Sequence, residues 1–171
     1  MANTLVVYYS RSGTTRRLAK MLARELDADL EEIVDDGDRR GVLGYLRSGL
    51  EAALRRVPAI HPLEHDPSTY DLVVVGTPIW NWSLSAPVRA FLDEHGKQLD
   101  RFAFFCTCGS SGSGRVFRQM RELCGKNPVA QLVVTAGTSS ANDYGGRVRR
   151  FVDAAMQWIS RPPQAPRAQP S

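Results

Sequence analysis

The chain is predicted to fold as an α/β protein: a three-layer, doubly wound five-stranded parallel sheet with helices on both faces. Two observations lead there. Short apolar runs rich in β-branched and aromatic residues, LVVYY, LVVV, FAFF and LVV, recur along the chain, and segments of helical periodicity separate them. The central runs are continuous rather than alternating, as strands buried on both faces require, and successive parallel strands need right-handed helical crossovers.

Taken in order, LVVYYS (5–10) is a strand, and TTRRLAKMLARELD places Leu18, Met21, Leu22 and Leu26 on one helical face. DLEEIV (29–34) is a weak, half-buried strand, and VLGYLRSGLEAALRR (42–56) is a helix, with Leu43, Leu46, Leu50 and Leu54 at steps of three and four. Pro58, Pro62 and Pro67 then hold a loop. YDLVVVGTP (70–78) suits a central strand ending in a Gly-Thr-Pro turn. The next helix, SAPVRAFLDEHG, has Ser85 as its N-cap and Pro87 in its first turn, and closes at Gly96. RFAFFCTCG, GRVFRQMRELCG, AQLVVTAG and YGGRVRRFVDAAMQWI follow as strand, helix, strand and helix. The tail RPPQAPRAQPS is too rich in proline to fold alone, so residues 1–160 are expected to form one domain and 161–171 a disordered tail.

Length and composition agree: 171 residues suffice for one core, and 43% hydrophobic with 23% charged residues is a globular balance. No apolar stretch approaches the roughly 20 residues of a membrane helix, and the N-terminus lacks a basic signal-peptide flank, so a cytoplasmic location without a membrane span is expected. Cys106, Cys108 and Cys124 have no zinc-ligand spacing and read as reduced thiols. The net charge of +4 is laid out in separate segments, RR at 39–40 and 55–56 and RVRR at 147–150, without interleaved aromatics. That argues against nucleic acid.

Open parallel sheets bind ligands at the carboxyl ends of their strands, which directs attention to three loops. In SRSGTT (10–15), Gly13 permits close backbone approach, and the hydroxyls of Ser10, Ser12, Thr14 and Thr15 join the helix N-terminus in an anion pocket or, on the plainer alternative, an N-cap cluster. Neither GxxxxGK[ST] nor GxGxxG is met. TPIWNWS (77–83) carries Trp80 and Trp82 on a loop facing the ligand edge, where large aromatics stack on a flat ring or cover the core. TCGSSGSG (107–114) suits a backbone that donates amides to a planar polar edge. Together the loops describe a phosphorylated planar heterocycle.

On these residues the chain resembles the flavodoxin-like family of FMN-binding proteins over roughly residues 4 to 159. SRSGTT fits the phosphate-loop pattern [ST]-x-[ST]-G-x-T at Ser10, Ser12, Gly13 and Thr15, and GTPIWNWSLSAPVRAFL and the 109–114 segment resemble the second and third flavin loops. The resemblance implies a sheet of order 2-1-3-4-5 and FMN as cofactor. Ser10, Arg11, Ser12, Thr14 and Thr15 would bind the phosphate, backbone around Trp80, Asn81 and Trp82 would meet the N5 side, and amides of Cys108, Gly109, Ser110 and their neighbours the N1 and C2=O edge, with Gly13, Thr77, Pro78, Ile79, Thr107 and Gly112 also in the cofactor site. It further implies electron transfer or FMN-dependent oxidoreduction, with a reduced nicotinamide or a reductase as donor and a quinone or protein as acceptor, in a monomer or homodimer. The family's small carriers are acidic around the flavin and this chain is net basic, which weakens the carrier role. The alternative is a non-catalytic binding or regulatory module on the same fold.

Other chemistries fit less well. Six residues separate Cys108 from Arg115, one more than a cysteine phosphatase needs. HPLEH (61–65) lies among prolines rather than on a helix, so His61 and His65 read as exposed loop histidines, and no metal site is expected. Tyr144 opens the last helix near the ligand edge, where local packing is an equally good reading.

Overall fold

The computed structural model describes residues 3–35, 59–135 and 141–159, so the helix expected over 42–56, Pro58 and the tail 161–171 lie outside the described residues. The chain runs β1 (Thr4–Tyr8), α1 (Thr14–Leu26), β2 (Asp29–Glu32), β3 (Leu72–Trp80), β4 (Ser83–Leu84), α2 (Ala86–His95), β5 (Phe102–Cys108), α3 (Ser113–Cys124), β6 (Gln131–Thr135) and α4 (Ala141–Ile159). Five strands pair parallel in the order β2-β1-β3-β5-β6, and the two-residue β4 turns back antiparallel on the end of β3. Setting β4 aside, this is the expected order 2-1-3-4-5.

The strands whose sequences are unbroken apolar runs are the ones buried on both faces: β1 throughout, β3 as far as Ile79 and β5 as far as Thr107. One face of the sheet packs Leu5, Val73, Val75, Phe102 and Phe104 against Phe91 and Leu92 of α2 and Phe117 and Met120 of α3. The other packs Val6, Val74 and Phe105 against Leu18 and Leu22 of α1 and Phe151 and Ala155 of α4. Each fully buried large apolar side chain contributes roughly 1.5–3 kcal/mol. Gly76 has a packing reason: it sits opposite Phe105, and a Cβ there would lie 2.0 Å from the tip of the Phe105 ring.

Four details depart from the sequence reading. Gly76, Thr77 and Pro78 form no turn, because β3 continues to Trp80, with Pro78 opposite Thr107. Pairing with β1 ends at Gly76, so beyond it the edge of β3 on that side has no ladder for a missing N–H to break. Met21 is 37% exposed, and the buried face of α1 instead adds Thr15, Ala19 and Ala23 to Leu18, Leu22 and Leu26. Ser85 does occupy the N-cap position of α2, but its hydroxyl bonds the Thr77 hydroxyl at 2.9 Å rather than a helix amide. His65 is not an exposed loop histidine, for its ring nitrogen Nδ1 lies 2.6 Å from the buried carboxylate of Glu31.

Candidate functional site

All five parallel strands point their carboxyl ends to one edge, so the loops after β1, β3 and β5 share it. The first loop ends in Gly13, whose φ of 87° is the left-handed conformation that glycine adopts without cost, and this residue is the N-cap of α1. With no side chain on the cap, Ser10 substitutes. Its Oγ accepts from the amides of Gly13 and Arg16, both at 3.2 Å. A serine hydroxyl has two acceptor sites and one proton, so Ser10 keeps only its O–H to offer a ligand. Ser12 and Thr14 are exposed, with hydroxyls 3.5 Å apart, and the first turn of α1 holds no acidic residue. Anions are favoured at such an end by the helix dipole and the unsatisfied amides of its first turn. Thr15 points inward, where its hydroxyl bonds that of Thr107 on β5 at 2.8 Å in a buried contact.

The second segment is a hairpin rather than an open loop. Trp80 pairs with Ser83, and both intervening residues, Asn81 (φ 48°) and Trp82 (φ 53°), are left-handed, as in the two-residue turns whose twist matches antiparallel strands. Asparagine tolerates this conformation. Tryptophan does not, and such a residue costs about 1–3 kcal/mol. Trp82 is nevertheless 57% exposed at the tip. Thr77 is wholly buried, its hydroxyl bonded to Pro78 O and Ser85, while Pro78 and Ile79 are buried along the strand. Trp80 is half-buried, with the edge of Tyr9 against it (centroids 5.9 Å apart) and the Arg11 guanidinium 5.8 Å above its ring.

The third loop closes against the second. Trp82 Nε1 donates to Ser111 Oγ at 2.9 Å, and Gly112, at φ 103°, is the N-cap of α3 directly beneath that indole. A Cβ on Gly112 would lie 2.9 Å from Trp82 Cδ1, so a larger residue is refused on conformation and on space. A Cβ on Gly109 would meet nothing within 4 Å, and Ser110 is exposed, so this loop presents open backbone beside half-buried Cys108.

Burial pushes the Cys108 thiol up from its ordinary range, and it pushes Cys106 up further with help from Cys108, so both stay protonated at neutral pH. Beside the first loop, Arg16 forms a 2.6 Å ion pair with Glu32, which also accepts from the Tyr8 hydroxyl. Burial, then Glu32, drives that phenol up to about 12. Among the described residues, no group of three or more His, Cys, Asp or Glu side chains could hold a metal ion, and no helix is long and apolar enough to cross a membrane.

The first and second loops thus meet through Trp80, the second and third through Trp82, and the first helix joins β5 through Thr15 and Thr107. The sequence reading missed Tyr9 and Ser111, the side chains that hold the two tryptophans. Tyr9 looked like one more strand residue, and nothing distinguished Ser111 from its neighbours.

A doubly wound sheet in this order, with its loops gathered at the carboxyl edge, defines the flavodoxin-like class of α/β proteins. The family model described as Flavodoxin matches residues 3–144, and the chain belongs to that family. No curated protein matches the chain. Among solved structures it is similar to a flavoprotein of Lactobacillus acidophilus NCFM crystallised with FMN, at 24% identity and a TM-score of 0.68, over 85% of this chain and 99% of that one. A candidate flavoprotein of Bacteroides eggerthii matches at 23% identity and a TM-score of 0.70, over 91% and 99%. A WrbA-like flavodoxin of Agrobacterium tumefaciens matches at 20% and 0.58, over 92% and 99%.

Proposed function

We propose that this chain binds FMN at the three loops and works in electron transfer or FMN-dependent oxidoreduction, taking electrons from a reduced nicotinamide or a reductase and passing them to a quinone or a protein. The observation that supports the reading is the convergence of an anion-accepting helix start, two tryptophans and an open Gly/Ser backbone on one edge of the sheet. The L. acidophilus flavoprotein crystallised with FMN has the same fold.

The donor set fits the group. Ser10 has only a proton left to give, Ser12 and Thr14 hold their hydroxyls in solvent, and with the Arg16 amide taken by Ser10 the amides of Thr14 and Thr15 are the first-turn donors that would complete a cradle suited to a phosphate. When bound, FMN supplies the redox chemistry. Trp80, fixed by Tyr9 and Arg11, and Trp82, fixed by Ser111, form apolar walls that orient a flat ring and exclude water from it. The Cys108 amide turns to β6, as that of Phe104 does, so the amides of Gly109 and Ser110 would be the donors to negative charge developing on the ring edge. The protonated Cys108 thiol offers no thiolate to compete.

The test is an anaerobic titration with FMN and with riboflavin, followed by addition of NADPH. FMN is expected to bind at least about 100-fold more tightly than riboflavin. Ser12→Ala with Thr14→Ala should remove about the same factor, since two charge-assisted hydrogen bonds contribute roughly 1.5 kcal/mol each and tenfold is about 1.4 kcal/mol. Equal affinity for the two flavins would refute the phosphate cradle. Bleaching by NADPH alone identifies a reductase, and bleaching that needs a second protein identifies a carrier.

A further inference from the structure

A second concave surface lies away from the three loops, along the side of the molecule where β6 ends the sheet. It is a groove of about 360 Å³ between β6 and α4, lined by Gln131, Val133, Arg147, Arg150, Phe151 and Ala154 among others. Its charged lining is wholly cationic. None of these residues belongs to the loops after β1, β3 or β5.

Three features specify an occupant. The strand β6 pairs with β5 on one side, and no strand among the described residues pairs with its other side. Ala130 O accepts from Phe104 N at 3.0 Å, so by strand alternation the backbone groups of Leu132 and Val134 also turn to β5, and those of Gln131 and Val133 turn outward. These outward donors and acceptors are what an added strand pairs with. The α4 side supplies exposed Arg147 and Arg150 beside half-buried Ala154, with Phe151 buried beneath them in the core. Arg150 is oriented by a 3.3 Å hydrogen bond from Nε to Gly146 O.

We infer that this groove is a docking site for an extended acidic segment of a partner protein, which adds to the edge of β6 and sets its carboxylates against Arg147 and Arg150. The backbone supplies pairing, and the arginines, both on the face that α4 covers, supply the preference for acid at every second residue. A second copy of this chain is disfavoured as occupant, because edge-to-edge association would bring the two arginine pairs together.

The probe is a fluorescein-labelled octapeptide of alternating glutamate and valine, added to the full chain with FMN supplied. Binding is read by anisotropy, and backbone protection by amide hydrogen exchange. The peptide is expected to bind in competition with salt, to protect the amides of Gln131 and Val133, and to lose at least tenfold in affinity in R147E/R150E, with R147Q/R150Q intermediate. Val133→Pro removes an outward N–H while leaving the ladder to β5 intact, and it should weaken binding at least fivefold with both arginines present. FMN affinity should be unchanged in all three variants. The inference is overturned if the peptide does not bind, if a lysine–valine octapeptide binds equally, if Val133→Pro and the arginine variants have no effect, or if anionic vesicles or duplex DNA bind this face more tightly than the peptide.

Discussion

Trp82 is the residue at which local and global requirements conflict most openly. A two-residue hairpin turn wants glycine at its second position, and the chain puts a half-exposed indole there, held by Ser111 and pressed against Gly112. Strain that persists at one position in an otherwise regular edge points to a ligand that uses it. Trp82→Gly is therefore expected to leave the melting temperature of the flavin-free protein within a few degrees of the parent. The relieved conformation, about 1 kcal/mol, offsets the lost contact. The same variant should lower FMN affinity at least tenfold. A flavin affinity equal to the parent's would show that Trp82 is a turn residue and no more.

At the level of elements, β2 shows how a poor strand is made secure. Its sequence DLEE has little to bury, yet each carboxylate finds a specific partner: Asp29 the Tyr70 hydroxyl at 2.8 Å, Glu31 the amides of Glu64 and His65 and the His65 ring, and Glu32 Arg16 and Tyr8. Together with the bridge of Asp35 to Ile60, the bonds of Asp29 and Glu31 clamp the segment 59–70 to the sheet edge, while those of Glu32 tie β2 to α1 and β1. The hydrogen bond to Glu31 raises the His65 pKa above its ordinary value, against a smaller opposing effect of burial. A raised folded-state value means that the imidazolium stabilises the fold fully below the ordinary histidine pKa of about 6.5, and that this contribution is lost as pH rises through the folded value. Between pH 6 and pH 9 the melting temperature of the parent should consequently fall relative to that of His65→Gln, and a constant difference would show that the pair is not ionic.

For the whole molecule, the loops after β1, β3 and β5 are joined by the Thr15–Thr107 and Trp82–Ser111 bonds, and a ligand bound as proposed would touch all three strands at once. A ligand spanning three strands binds the folded chain and not the unfolded one. At one hundred times its dissociation constant FMN should add about 2.7 kcal/mol of stability. For a chain of this size that is roughly 5–10 °C in melting temperature, and scanning calorimetry with and without FMN measures it. The net charge of +4 belongs to this scale as well, since it favours acidic partners over the basic ones that an acidic carrier would dock on.

The order of elements, the parallel sheet and the three loops were legible in the residues, because burial on both faces demands continuous apolar runs and helices demand a period of 3.6. The hydroxyl-rich loop ahead of α1 was legible for a similar reason: hydroxyls, a glycine and a helix start are all local. What β3 does after Gly76 was not local. Gly-Thr-Pro reads as a turn until the sheet shows that β1 has already ended beside it. The inward aim of Thr15 and Thr77, the duty of Ser10 as a cap and the pairing of His65 with Glu31 also depend on residues far apart in sequence or on backbone geometry. A residue's type sets what bonds it can make, and the sequence by itself determined that much together with the fold. Which of those bonds are already taken, and which remain for a ligand, only the packing of distant segments decided.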